Sequence, residues 1–218
     1  MMKRPKAGWR GKNMLDSKGF DLWADGYDES VGITEEENKY PFAGYKEVLA
    51  EIYGIVATVP GAAVLDLGFG TGVLTKKLYE RGCEIYGQDF SERMIELARA
   101  GMPEARLCAG DLAQGLAEPL RAVRYDFIVA TYSLHHLADE RKRALAKELL
   151  GLLRESGKLL IGDVAFENRA ALEACRAEAG EEWDDEEIYF VADEWKEAFP
   201  KTTFLPKSFC AGVLVMER

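Results

Sequence analysis

Between positions 41 and 58 apolar side chains recur every three or four residues, at Phe42, Tyr45, Leu49, Ile52, Tyr53 and Val56. That period predicts an amphipathic helix, with Pro41 in the first turn, where its missing N–H is tolerated. The pattern then shortens. Positions 62–67 form a compact apolar run that reads as a strand, 71–81 return to helical spacing and stop at Gly82, and 84–89 read as a second strand. Ser91, followed by Glu-Arg-Met, has the form of an N-cap opening a helix through Ala100. Positions 106–109 predict a short third strand, 125–131 a fourth that is buried on both faces, 138–153 a helix with a charged outer side, and 157–163 a fifth strand.

Strands alternating with helices predict an α/β, doubly wound, mostly parallel sheet with helices on both faces. A long, polar, helix-prone segment follows at 167–199, and then two strand-like runs at 202–205 and 209–216. With no helix between them, these last two are expected to pair antiparallel through the turn around Pro206-Lys-Ser208. The acidic run Glu181-Glu-Trp-Asp-Asp-Glu-Glu187 reads as a solvated surface.

Composition narrows the class. A chain of 218 residues, 48% hydrophobic and 30% charged, fits a single globular domain, and no apolar run approaches the roughly 20 residues of a membrane helix. The basic start, Met1 to Lys12, is followed by no apolar body of the kind a secretory signal needs, and reads as a terminal arm. Cys83, Cys108, Cys175 and Cys210 lie far apart in sequence, so neither a disulfide framework nor a zinc ribbon is indicated; a reducing cytoplasm is the expected setting. A net charge of −10 opposes approach to phosphate backbones, so no nucleic-acid partner is expected.

The chemistry is concentrated in Val64-Leu-Asp-Leu-Gly-Phe-Gly-Thr-Gly72, where a strand runs into a glycine turn and then a helix. Such a turn sets bare backbone N–H groups against a ligand at the carboxyl edge of the sheet. A dinucleotide fingerprint would place its third glycine three positions after the second; here Gly72 follows Gly70 by two, which weakens a nicotinamide oxidoreductase reading. Three acids stand at three successive strand ends. Asp66 is placed to receive an ammonium directly or through water, Asp89 to reach both hydroxyls of a ribose, and Asp111 to accept from an exocyclic adenine amine. A ligand with an ammonium, a ribose, an adenine and no pyrophosphate matches that set, and S-adenosyl-L-methionine has those parts. Taken singly, Asp66 and Asp111 also suit turn formation.

With these residues assembled, the chain resembles the class I S-adenosylmethionine-dependent methyltransferases from Phe20 to Glu217. The ordered matches are the glycine motif, Ile85-Tyr-Gly-Gln-Asp-Phe-Ser91, Ala109-Gly-Asp111, Tyr125-Asp-Phe-Ile-Val-Ala-Thr-Tyr-Ser-Leu-His-His-Leu137 and Lys158-Leu-Leu-Ile161. More narrowly it is similar to small bacterial methyltransferases of the YrrT type, through Trp23-Ala-Asp-Gly-Tyr-Asp-Glu29 and Val213-Leu-Val-Met-Glu217. The resemblance implies a seven-stranded Rossmann-like sheet of order 3-2-1-4-5-7-6 with strand 7 antiparallel. It places Gly68 and Gly70 along the methionine and ribose, Asp89 at the ribose, and Asp111 with Leu112 at the adenine. It also implies one domain with a terminal arm (1–19), a helical lid (20–58) that would bring Tyr27 over the methionine end, and a helical insertion (167–199) near the acceptor pocket. One departure is Arg154-Glu-Ser-Gly157, which has a single glycine where these enzymes usually carry a Pro-Gly-Gly turn.

Methyl transfer from a sulfonium is a displacement with a good leaving group, so positioning supplies much of the acceleration and a base matters only for a protonated acceptor. The only two histidines, His135 and His136, follow the fourth strand at the ligand-binding edge and are the candidate catalytic bases. Adjacent side chains diverge, so at most one is expected to face an acceptor; with no third ligand evident, no metal site is expected. Trp183, Tyr189, Phe190 and Trp195 read mainly as packing residues. The expectation is transfer to a small-molecule acceptor, against two alternatives: a binder of the cofactor without transferase activity, and an RNA or protein methyltransferase. The basic face that an RNA enzyme needs is not evident.

Overall fold

The computed structural model describes residues 39–218. The 1–19 arm, the first part of the 20–58 lid and Tyr27 lie outside the described residues. An eight-stranded sheet occupies the centre, with β1 (Ala63–Leu67), β2 (Glu84–Asp89), β3 (Arg106–Ala109), β4 (Tyr125–Thr131) and β5 (Leu153–Phe166) all parallel. A two-residue β6 (Phe190–Val191) adds to the far end of β5, and β7 (Thr202–Pro206) and β8 (Ala211–Glu217) complete the sheet. The main path runs β3-β2-β1-β4-β5-β8-β7, so apart from the short β6 it is the expected order. β8 is antiparallel to both β5 and β7, and Thr203 pairs with Val215 in the final hairpin.

Alternation along the strands divides the core. Val64, Val129, Leu160 and Val213 face the side covered by α1 (Tyr45–Val56), α2 (Val73–Glu80) and α3 (Glu92–Gly101). Leu65, Ile128, Leu159 and Leu214 face the other side, where Leu145 and Leu149 of α5 (Asp139–Leu152) and Trp195 of α7 (Ala192–Ala198) pack; between β3 and β4 lies the one-turn α4 (Glu118–Arg121). Parallel strands buried on both faces must be largely apolar, which is why β1 is apolar at every position but one. Asp66, in its middle, is therefore conspicuous.

The first helix begins four residues later than its apolar period suggests. Gly44 takes a left-handed conformation (φ 81°), and the backbone from Lys39 to Gly44 forms turns held to the β7–β8 loop, where Ser208 Oγ donates to the Ala43 carbonyl at 2.6 Å. The segment 167–199 is not simply helical. After α6 (Arg169–Ala179) and a 3₁₀ turn it yields β6, because the buried Tyr189, Phe190 and Val191 dock beside the extended end of β5. Trp195 and Phe190 are core residues and Trp183 stacks on Tyr40, in keeping with their packing role.

Candidate functional site

A cavity of about 620 Å³ opens at the carboxyl ends of β1 to β4. It is lined by Asp66, Gly68, Gly70, Asp89, Asp111 and Leu112, so the six described residues expected at a cofactor converge on one space. It is also lined by residues the sequence did not assign to a site, including Phe42, Tyr45, Phe90, Tyr132 and Ser133.

The glycine loop is shaped by the protein as much as by any ligand. Gly68 has φ 69°, and a Cβ there would stand 2.4 Å from Ser133 Cβ. Ser133 in turn donates its hydroxyl to the Leu67 carbonyl at 2.8 Å, locking the β4 end onto the β1 end. Gly70 also has positive φ, and its N–H donates to Asp89 Oδ2 at 2.9 Å. Asp89 Oδ1 accepts from Ser91 N–H at 2.9 Å. An ionised carboxylate offers about four lone-pair positions, so the two bonds leave room for two ligand hydroxyls.

Asp66 is 1% exposed. Its Oδ2 accepts from Thr75 Oγ at 2.6 Å, while its buried Oδ1 has no partner. Burial pushes its carboxyl up to about 7, with the Asp89 charge adding to the shift and the Thr75 hydroxyl opposing it. A buried carboxylate oxygen left unpartnered at a cavity is costly, and an ammonium bound directly or through water relieves that cost. Asp111 Oδ1 holds the local turn through Ala113 N–H at 2.8 Å, and the residue also lines the cavity. Phe90 exposes 82% of its surface beside Asp89, an unusual position for an aromatic ring without a ligand.

Tyr132, at the β4 end, is a non-glycine residue at φ 48°, with its ring against Tyr45 and its hydroxyl buried without a partner. A bulky side chain at positive φ is strained, and such strain concentrates at functional positions.

The two histidines differ in exposure but do not diverge as their adjacency suggested: their ring centroids lie 4.1 Å apart and both face Glu187, a third potential ligand the sequence did not reveal. His136 lines the cavity and is exposed; His135 is buried and turned away from it. His135 Nδ1 lies 2.6 Å from Asp163 Oδ1, and its Nε2 lies 3.4 Å from Glu187 Oε1. Burial by itself lowers a histidine's pKa, but the hydrogen bond and charge of Asp163 and the charge of Glu187 outweigh it and leave His135 raised. Asp163 was legible as the one acid in the apolar run Leu159-Leu-Ile-Gly-Asp-Val-Ala165. Glu187 was not, because it ends an acidic run that otherwise reads as surface. The fold brings it in: Ile188 N–H donates to the His135 carbonyl at 2.8 Å.

No residue of 167–199 lines the cavity; Glu187, 4.0 Å from His136 Nδ1, is the part of that segment placed beside a cavity residue. Among the described residues no helix is long and apolar enough to cross a membrane.

Comparison with known proteins bears on this geometry. The methyltransferase domain family matches residues 64–157, from β1 to the start of the inner part of β5. An uncharacterized methyltransferase of Anoxybacillus flavithermus is 40% identical over 169 residues, covering 78% of this chain and 76% of that one. Another, from Geobacillus kaustophilus, is 37% identical over 203 residues, covering 89% and 90%. Among solved structures, a magnesium protoporphyrin IX methyltransferase from Synechocystis with bound SAH is similar in fold, with a TM-score of 0.63, 19% identity, and coverage of 94% of this chain and 96% of that one.

Proposed function

The chain belongs to the class I S-adenosylmethionine-dependent methyltransferases, and we propose that it transfers a methyl group to a small-molecule acceptor by in-line displacement in the cavity beneath Tyr45 and Tyr132. The observation that carries this reading is the convergence of Asp66, Asp89 and Asp111 on one cavity, with the unpartnered Asp66 Oδ1 among them. The residues present fit the cofactor. Asp66 would take its ammonium, Asp89 its ribose hydroxyls, Asp111 and Leu112 its adenine, and the Gly68 to Gly70 backbone would allow close approach.

When bound, the cofactor supplies an electrophilic methyl on a sulfonium. The chain's contribution is binding, orientation and exclusion of water. Asp89 does two of these at once, since the carboxylate assigned to the ribose also fixes Gly70. Aromatic residues, Phe42, Tyr45 and Tyr132, form the wall through which an acceptor would enter. Of the two histidines, His136, which lines the cavity, would meet an acceptor proton, whereas His135 does not line it. The small acceptor is favoured by the net charge of −10, which repels nucleic acid.

Titration calorimetry of the protein with S-adenosylmethionine, S-adenosylhomocysteine and NAD tests the reading. Micromolar binding of both sulfur ligands without NAD supports it, and NAD binding alone overturns it. A purified protein that binds the cofactor but transfers its methyl to no member of a broad small-molecule panel would favour the binding-only alternative.

A further inference from the structure

The arrangement around His135 poses an electrostatic problem. Asp163 can only accept at the Oδ1 facing His135 Nδ1, so that nitrogen carries a proton. In the neutral ring this leaves Nε2 as a lone pair, 3.4 Å from a carboxylate oxygen of Glu187. Two acceptors facing each other require a proton or a cation. His136 Nδ1 stands 4.0 Å from the same Glu187 oxygen, and the three potential ligand atoms all lie within 4.8 Å of one another.

We propose that His135, His136 and Glu187 form a binding site for a divalent d-block cation of the zinc type. Zinc–nitrogen and zinc–oxygen bonds near 2.0–2.1 Å put tetrahedral ligand atoms about 3.3 Å apart. The His135–Glu187 separation of 3.4 Å already has that value, and the exposed His136 ring needs only a small rotation to close the third corner. Two imidazoles and one carboxylate suit a borderline cation rather than magnesium or calcium, and leave at least one coordination position open.

The surroundings support the same ligands. Asp163 holds the opposite nitrogen of His135, the usual means of fixing a metal-binding ring. Glu187 is oriented through its other oxygen, which accepts from the Tyr189 hydroxyl at 2.8 Å; Tyr189 is itself bonded to Tyr40, whose oxygen accepts from Asp184 N–H at 3.1 Å. The neighbouring cation, Lys142, is turned to Asp139 at 2.9 Å and to the Ile188 carbonyl, so it does not neutralise Glu187. Because His136 also lines the main cavity, a bound ion would stand at its margin.

The test is titration of the full-length, chelator-stripped protein with Co²⁺, followed by its visible d–d absorption, and with Zn²⁺ in competition. One equivalent should saturate the site with the spectrum of low-coordinate cobalt and be displaced by Zn²⁺. His136→Ala, at an exposed position, and Glu187→Gln should each lower affinity at least tenfold. Asp163→Asn should weaken binding roughly 10–100-fold while leaving the stoichiometry unchanged. Absence of saturable binding, or binding unchanged in both His136→Ala and Glu187→Gln, overturns the proposal. Metal alone is read in this experiment, so its failure is separate from failure of the methyl-donor titration.

Discussion

Asp89 Oδ2, at the end of β2, accepts the N–H of Gly70 in the loop after β1 at 2.9 Å. The acid assigned to the ribose is thus also the clamp of the glycine loop. Replacing it by alanine removes the ligand contact and frees two backbone N–H groups, those of Gly70 and Ser91. Asp89→Ala should weaken S-adenosylmethionine binding by tenfold or more. It should also cost about 1–3 kcal/mol of stability, read as a lower melting temperature. Calorimetry showing unchanged affinity would sink the ribose assignment.

Asp66 makes a pH-dependent claim. Its carboxyl titrates near about 7 in the fold, against about 3.9 in an unfolded chain. The folded state therefore prefers the protonated form. This contribution to stability is fully present below about pH 4 and is lost as pH rises through 7. Denaturation at pH 5 and pH 8 should show wild type losing stability relative to Asp66→Asn over that interval; a constant difference between the two proteins contradicts the shift. An ammonium beside Asp66 favours the ionised form, so cofactor binding at pH 6 should release protons, measurable by calorimetry in buffers of different ionisation enthalpy, and Asp66→Asn should abolish most of that release.

Gly68→Ala should be disruptive although it adds one methyl group. The new Cβ would meet Ser133 Cβ at 2.4 Å at a positive φ that alanine disfavours. A loss of about 1–3 kcal/mol is expected, with reduced cofactor affinity as the loop shifts. The second substitution Ser133→Gly should recover part of the stability but not the backbone strain; full stability in the single variant would show that the loop yields more easily than its packing implies.

Phe90→Ala separates binding from folding. With 82% of its surface exposed, Phe90 contributes little to the core, and stability should change by no more than about 0.5 kcal/mol. If its ring covers the adenine, cofactor affinity should fall about fivefold or more. Equal affinity in the two proteins would remove Phe90 from the site.

Much of this was readable along the chain because it is local. The expected bounds of β2, β3 and β4 coincide with the observed strands; for β4, buried along most of its length, the reason is that a parallel strand covered on both faces leaves an apolar run that needs no knowledge of its neighbours. Ser91 caps its helix through Met94 N–H at 3.3 Å, as its position indicated. The three acids were legible because each stands near or just beyond the end of an expected strand. What sequence alone determined is therefore the succession of elements and the placing of Asp66, Asp89 and Asp111 at strand ends on the carboxyl edge; the order of the strands was implied by the family resemblance.

Tertiary structure decided the rest, where the deciding contact joins residues distant in sequence. Gly44 ends the turn before the first helix because Ser208, more than 160 positions later, occupies the space beside it. Phe190 becomes a strand because the end of β5 offers it a free edge. Glu187 reads as one more surface acid until the pairing of Ile188 with the His135 carbonyl turns it inward, and the division of labour between His135 and His136 follows from Asp163 across the sheet. Local periodicity carries burial and element type, but it holds no information on which distant side chain stands opposite; that is set by packing, and it is packing that built the His135–Glu187 pair.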